Sequence, residues 1–417
     1  MTRKKLIVVG GGAAGFFGAI AAAEACPAAE VQILEATARP LTKVKISGGG
    51  RCNVTHQCFD VKKLVEFYPR GRRELLSIFS RFQPQDTIDW FAARGVNLKA
   101  EADGRMFPTT NKSETIINCL QQSAEKAGVL LRKGALVAEL RRSSSERGER
   151  AFLLKLKSGE VLDADAVLWT TGSVPRSYSL IEGVGHHIVP AVPSLFTFEV
   201  KHPLLEEMAG QSFAQVHLRL SLAGKKFQQI GPMLITHWGL SGPAVLKLSA
   251  FASRELCEQQ YQADLSVNFL YPAKEEDLVQ SLSLHKQDSA QKPLSAFSPL
   301  PMSKRFWQRC LEHFGISSTQ TWSQLATRDL RKIVQGLSHV SMRVEGKGVF
   351  KEEFVSCGGV NLKEVDFKTM ESKLCPGLYF AGEVLNIDGI TGGFNFQNAW
   401  SGSWVAAQAI AKRLAQD

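Results

Sequence analysis

Apolar residues run unbroken from Leu6 to Val9, yield to glycine and an alanine-rich stretch reaching Ala25, and resume over Val31–Leu34. That order predicts strand, helix and strand, a compact βαβ unit. Residues 61–95 set apolar side chains at helical spacing among charges, and Ser113–Ala127 repeats the pattern with Ser113 as the expected N-cap. Leu130–Arg141 reads as one strand, Ser143–Arg150 as a polar turn, and Phe152–Lys157 with Val161–Asp163 as a hairpin closed by Ser158-Gly159. Ala166–Thr171 is a further buried strand ending at Gly172. From about Pro190, Phe196–Val200, Ala214–Leu222 and Leu265–Tyr271 alternate in the β manner. Residues 274–337 read as helical, most clearly at Phe306–Phe314 and Leu325–Val334. Strands return from Phe354, and Phe396–Leu414 is a closing helix. No internal repeat is visible. The economical arrangement is an α/β nucleotide-binding domain made of residues 1–193 and 351–417, interrupted by a β-rich portion (194–272) and a helical one (273–350).

A chain of 417 residues fits two or three domains. Its net charge of +10 favours a polyanionic partner such as nucleic acid, or an acidic substrate; a generally basic, solvated surface is the alternative. Eight cysteines (Cys26, Cys52, Cys58, Cys119, Cys257, Cys310, Cys357 and Cys375) form no CxxC pair or disulfide framework, so we expect reduced thiols in a cytoplasmic protein. No signal peptide and no run of 18 apolar residues are visible, and no membrane association is expected. His186-His187 and His339 lack carboxylate or cysteine partners at metal spacing, so no metal is expected.

Three glycine-rich segments carry the candidate chemistry. Gly10-Gly11-Gly12-Ala13-Ala14-Gly15 matches GxGxxG between a strand and a helix, where bare backbone and a helix N-terminus receive a pyrophosphate. Glu35 closes the second strand and is placed to bond a ribose. These residues do not separate FAD from NAD. The second segment runs from Lys43 to Thr55 and contains Ser47-Gly48-Gly49-Gly50-Arg51-Cys52-Asn53. Three consecutive glycines suit a cofactor loop or a linker, and the dense residues after them favour the loop. The third includes Gly382-Glu383 and Gly392-Gly393-Phe394-Asn395-Phe396 at the entry to the last helix, whose N-terminus would face an anionic flavin. Thr171-Gly172 is a further turn of this type, and Val137 is also assigned to the cofactor. No second GxGxxG occurs, so NAD(P)H, if it is the reductant, should dock transiently rather than in its own domain.

Residues 43–55, Asp103–Pro108, Thr236–Pro243 and 377–402 together resemble the BaiN/YhiN-like family of FAD-dependent oxidoreductases, over almost the whole chain. The resemblance implies a Rossmann-type FAD-binding domain in two halves, of the glutathione-reductase type, with an inserted β-barrel-like and helical unit. Members include reductases of activated C=C bonds in bile-acid intermediates, an aminoacetone oxidase and a ribosomal-RNA dihydrouridine synthase. Thr170 stands where the family more often has alanine, and Cys357 precedes a glycine pair.

Single residues keep two readings each. Cys52, beside Arg51, is a proton donor with a lowered pKa or a buried thiol under the loop. His237 is a general acid or a structural histidine bonding a turn carbonyl. Arg105 and Phe107 clamp a planar ring or close the flavin domain. Arg70 with Arg72-Arg73, Arg141-Arg142, Lys304-Arg305 with Arg309, and Arg328 with Arg331-Lys332 are candidate RNA phosphate contacts or solvated faces. The expected activity is NAD(P)H-driven reduction of an activated C=C bond, with uridine in large-subunit ribosomal RNA as the leading substrate. A small enone, oxidation of a small amine and a non-catalytic flavin-binding module are the alternatives.

Overall fold

The structure, a computed structural model, describes residues 3–143, 151–348 and 355–415. The apolar run at the start forms β1 (Lys5–Val9), the small-residue stretch forms α1 (Ala13–Ala25), and β2 (Glu30–Glu35) follows. Leu6, Ile7 and Val8 are wholly buried, as suits a central strand of a parallel sheet covered on both faces. The strand Ala166–Trp169 lies parallel on one side of β1 and β2 on the other. Leu130–Lys133 extends the sheet beyond β2, and Leu378–Phe380 joins beyond Ala166–Trp169, so residues from both ends of the chain share one sheet. Two short antiparallel strands, Glu371–Ser372 and Val365–Asp366, complete its seven strands.

Two local expectations are corrected. The stretch Leu130–Arg141 is two strands in different sheets, because Gly134 turns with φ 68° between them. Val137–Arg142 then pairs antiparallel with Phe152–Leu156, which pairs with Val161–Ala164. Most of the polar turn Ser143–Arg150 lies outside the described residues. The helix Ser113–Lys126 is preceded by Lys112 at its cap position; Ser113 is already helical, and its hydroxyl donates instead to the carbonyl of Lys45 at 2.8 Å.

The chain divides into two units, residues 1–191 with 356–417, and residues 192–355. In the second, six strands close an antiparallel barrel, in the order Phe198–Val200, Gly239–Ser241, Lys225–Thr236, Ser212–Leu222, Ala263–Asn268 and Val340–Lys347. Val216, Leu218, Leu220 and Leu222 are buried while Arg219 and Ser221 between them face solvent, the period of a strand with one apolar face. Three amphipathic helices, Glu275–Asp288, Lys304–His313 and Thr327–Ser338, follow. Their Phe306, Trp307, Leu330 and Val334 share one apolar core with the barrel. The α/β Rossmann-type fold with an inserted barrel and helices is as expected. No described helix is long and apolar enough to cross a membrane.

Candidate cofactor and active site

The glycine signatures converge beyond the carboxyl ends of the parallel strands, where open α/β sheets bind ligands. Gly10 leaves β1 with φ 108°; a Cβ there would lie 2.7 Å from the carbonyl oxygen of Thr170. A Cβ on Gly15 would come within 1.9 Å of the Gly10 carbonyl oxygen, so this glycine lets α1 close onto the turn. Gly12 caps α1, and a Cβ there would meet nothing within 4 Å. That open backbone at a helix N-terminus is the place for a pyrophosphate. Glu35 accepts from the Gly11 N–H at 2.8 Å and from the Thr37 N–H and hydroxyl at 2.7 Å each. A carboxylate has about four acceptor sites, so capacity remains for a ribose hydroxyl. Gly11, which the fingerprint leaves unspecified, is thus the group that aims Glu35. The Glu35 carbonyl in turn accepts from Ala135, two residues before the buried Val137.

The helix beginning at Thr42 breaks at Ser47, and Gly48, Gly49 and Gly50 follow at φ 57°, 67° and 82°. A Cβ on Gly48 would crowd Phe107 at 2.9 Å, whereas Gly49 and Gly50 face open space. Lys43 reaches Glu383 at 2.6 Å, and Glu383 is the nearest group to a Cβ built on Gly172. Gly382 packs on Ala14 of α1. Lys43, Thr171-Gly172 and Gly382-Glu383, far apart in sequence, therefore share one neighbourhood.

The last helix, Phe394–Ala415, begins two residues earlier than expected. Its first internal bond runs from Gln397 to the Gly393 carbonyl, leaving the N–H groups of Phe394, Asn395 and Phe396 without partners among the described residues. The Asn395 side chain is committed to both backbone groups of Gly389, and Phe396 stacks on Trp400. Phe394 is buried between His56 and Phe67, its carbonyl held by the Tyr68 hydroxyl at 2.6 Å. With its amide oriented to satisfy both neighbours, Asn53 donates to the Thr55 carbonyl and accepts from the Gly393 N–H, each at 3.0 Å. This is a direct tie between the second and third glycine segments.

Several candidates are not where sequence reasoning put them. Arg51 pairs with Glu101 at 2.5 Å and stacks on Phe107 at 4.0 Å; Phe107 is wholly buried and offers no face to a substrate ring. Cys52 is also wholly buried, and burial, opposed only by a bond from Ser47, pushes its thiol up to about 12. The lowered pKa expected from Arg51 does not arise: burial dominates, and the Arg51 guanidinium is turned to Glu101 and Phe107. Arg105 is held by Asp103 at 2.7 Å and Glu101 at 3.1 Å, with its Nη1 unbonded among the described residues. Arg70 is not a surface phosphate contact, since it forms an ion pair with the buried Asp388. Arg305 and Arg309 donate to the carbonyls of Glu207 and Glu206, and Lys332 to that of Phe314. His186 and His187 share Glu364 at 3.0 and 2.6 Å, a carboxylate partner that sequence spacing had hidden. Among the described residues no group of three or more His, Cys, Asp and Glu could hold a metal. His237 is exposed in the turn between two barrel strands and bonds no turn carbonyl.

Sequence reasoning also passed over His56, Glu101, Tyr178 and Asn398. The Tyr178 hydroxyl and both amide atoms of Asn398 are buried without partners among the described residues. Burial first, and then the charge of Glu383, push Tyr178 up to about 12. Buried polar groups are seldom left unpaired, and these orphans, the open backbone at Gly12, Gly49 and Gly50, and the unpaired helix N-terminus fit a large polar cofactor.

A parallel sheet with this fingerprint, an aimed acidic residue on β2 and a completing C-terminal segment defines an FAD-dependent oxidoreductase with a Rossmann-type FAD-binding fold. The sequence model of the HI0933-like protein Rossmann domain matches residues 4–409, and the chain belongs to that family. It is 29% identical over 98% of its length to the ribosomal RNA dihydrouridine synthase of Escherichia coli, covering 98% of that protein. It is 28% identical over 97% of its length to the 3-dehydro-bile acid delta(4,6)-reductase of Clostridium scindens, again covering 98% of that protein. Among solved structures, a 3-ketosteroid-delta4-(5alpha)-dehydrogenase from Rhodococcus jostii superposes with a TM-score of 0.51 at 14% identity, covering 99% of this chain and 98% of the other, a likeness of fold.

Proposed function

We propose that this protein reduces the C5=C6 bond of uridine in ribosomal RNA to dihydrouridine, with NAD(P)H as electron source. Two full-length relatives support bond reduction, one a synthase of dihydrouridine and the other a reductase of a bile acid, and the resemblance to the BaiN/YhiN-like proteins points the same way. Both chemistries saturate a C=C bond conjugated with a carbonyl. The observation that carries the choice of RNA is the +10 charge, which suits a partner with a phosphate at every residue better than a bile acid with a single carboxylate.

Bound FAD would supply hydride chemistry at C6 of the base, with NAD(P)H as the source of its electrons. Glu35, the Gly10–Gly15 turn, Lys43, Gly48–Gly50 and the N–H groups from Phe394 to Phe396 would hold it. Arg105, pinned by Glu101 and Asp103, offers its unbonded Nη1 to a uracil carbonyl and draws charge toward it. A proton must then reach C5. Cys52 is not its donor, since its thiol is out of reach of solvent and substrate.

Mass spectrometry of ribosomal RNA from a strain lacking the protein should show the loss of one or more dihydrouridines. Dihydrouridine unchanged at every site would overturn the RNA reading. Bleaching of the flavin by NADPH or NADH under anaerobic conditions, and hydrogen peroxide release with aminoacetone, then separate an enone reductase from an amine oxidase.

A further inference from the structure

The outer face of the barrel carries an open groove of about 1000 Å³. Strand register sets its lining in two adjacent rows across four neighbouring strands. One row reads Gln228, Arg219, Ser266, Ser341, and the next reads Lys226, Ser221, Asp264, Arg343. Neighbouring strands lie about 4.8 Å apart, so each row places donors across about 15 Å. Arg219 and Lys226 are exposed, and their side chains make no hydrogen bond or ion pair among the described residues; the Arg343 guanidinium bonds the neutral Gln262. Three cations and three serine hydroxyls surround a single carboxylate. In the basic helix Lys304–His313 of the same unit, by contrast, Arg305 and Arg309 are committed to backbone carbonyls, though Lys304 is exposed.

We infer that this groove is the docking surface for the RNA backbone. The inference rests on the RNA reading proposed above. Cations and hydroxyls on a strand-built face suit successive phosphodiesters, since guanidinium, ammonium and hydroxyl groups all donate to phosphate oxygens. Asp264, acceptor-only when ionised, is the group in the lining suited to a ribose 2′-hydroxyl, the feature that distinguishes RNA from DNA.

The test titrates FAD-loaded protein with a single-stranded ribosomal RNA fragment over a range of salt concentrations. Arg219→Gln, Lys226→Gln and Arg343→Gln are combined in one variant. A control carries Lys62→Gln, Lys63→Gln and Lys412→Gln, which lower the net charge equally. Each lost contact to a single strand removes about 0.7 from the slope of log K against log salt, so the groove variant should lose about 2 in slope. The control should keep the wild-type slope, and both variants should keep their flavin spectrum and reduction by NAD(P)H. In the RNA–DNA comparison, Asp264→Ala should bind RNA and DNA of the same sequence alike. If the wild-type protein binds RNA but the groove variant shows its slope and affinity, or loses no more than the control, the groove assignment is overturned and the RNA reading stands. If the wild-type protein binds no RNA, both fail together.

Discussion

Cys52 has none of its surface exposed and adopts φ 60°, and its thiol is pushed from 9.0 up to about 12 by burial. Arg51, the charge nearest in sequence, is turned to Glu101 instead. A thiol titrating higher in the folded than in the unfolded protein favours the fold fully below pH 9, and that contribution is lost as pH rises towards 12. We expect urea stability to fall between pH 8 and pH 10.5, with Cys52 accounting for up to about 4 kcal/mol of the full loss. Cys52→Ala should flatten that part of the profile and leave flavin reduction intact; an unchanged profile with lost activity would restore a catalytic role to the thiol. Glu35 belongs to the opposite class, a carboxylate aimed outward by Gly11 and Thr37. Glu35→Arg places a cation where a ribose hydroxyl needs an acceptor, and the purified variant should be colourless and gain no flavin on incubation with FAD.

The element-scale counterpart is the turn from β1 into α1. Gly15→Ala sets a methyl 1.9 Å from a backbone oxygen that cannot move aside, so α1 must shift from the sheet. A loss of more than about 2 kcal/mol in stability, with loss of bound FAD, is expected by denaturation and absorbance. Arg70 and Asp388 act likewise, tying the segment before the Gly392-Gly393 turn to the start of the helix Arg72–Phe79. Asp388→Asn leaves the guanidinium without its counter-charge and should cost about 3–5 kcal/mol, whereas Arg70→Met with Asp388→Leu should cost less; a double-mutant cycle reads the difference. The βαβ unit was legible because its apolar runs and glycines sit within 30 residues of one another. The long barrel strand Lys225–Thr236 was not, since exposure alternates along it but residue type does not: Ile230 shares the outer face with Lys226 and Gln228, and Gln229 and Gly231 sit on the other. The closing strand Val340–Lys347 alternates well but finds its partners, Phe198–Val200 and Ala263–Asn268, at distances no local pattern reveals.

At the scale of the whole molecule, the proposed cofactor site draws on residues about 340 positions apart, and its seam is the contact of Asn53 and Thr55 with Gly393. The glycine segments announced themselves separately; which atoms join them depends on Gly393, whose φ of 88° brings its backbone against Thr55. A Cβ at this position would lie 2.6 Å from the Thr55 carbonyl oxygen, which the Asn53 amide also bonds. Gly393→Ala should therefore push the last helix away from the Lys43–Thr55 segment and misplace the Phe394–Phe396 N–H groups. Backbone strain alone would cost stability at any left-handed glycine, so Gly185→Ala is the matched control: φ there is 97°, and an added Cβ meets nothing within 4 Å. We expect both variants to lose about 1–2 kcal/mol of stability from strain, but only Gly393→Ala to weaken FAD binding by about tenfold or more, equivalent to about 1.4 kcal/mol. Isothermal titration of the flavin-free variants with FAD measures the difference. Equal affinities would mean that the two ends of the chain hold the cofactor independently, and that the tie through Asn53 organises the fold without organising the site.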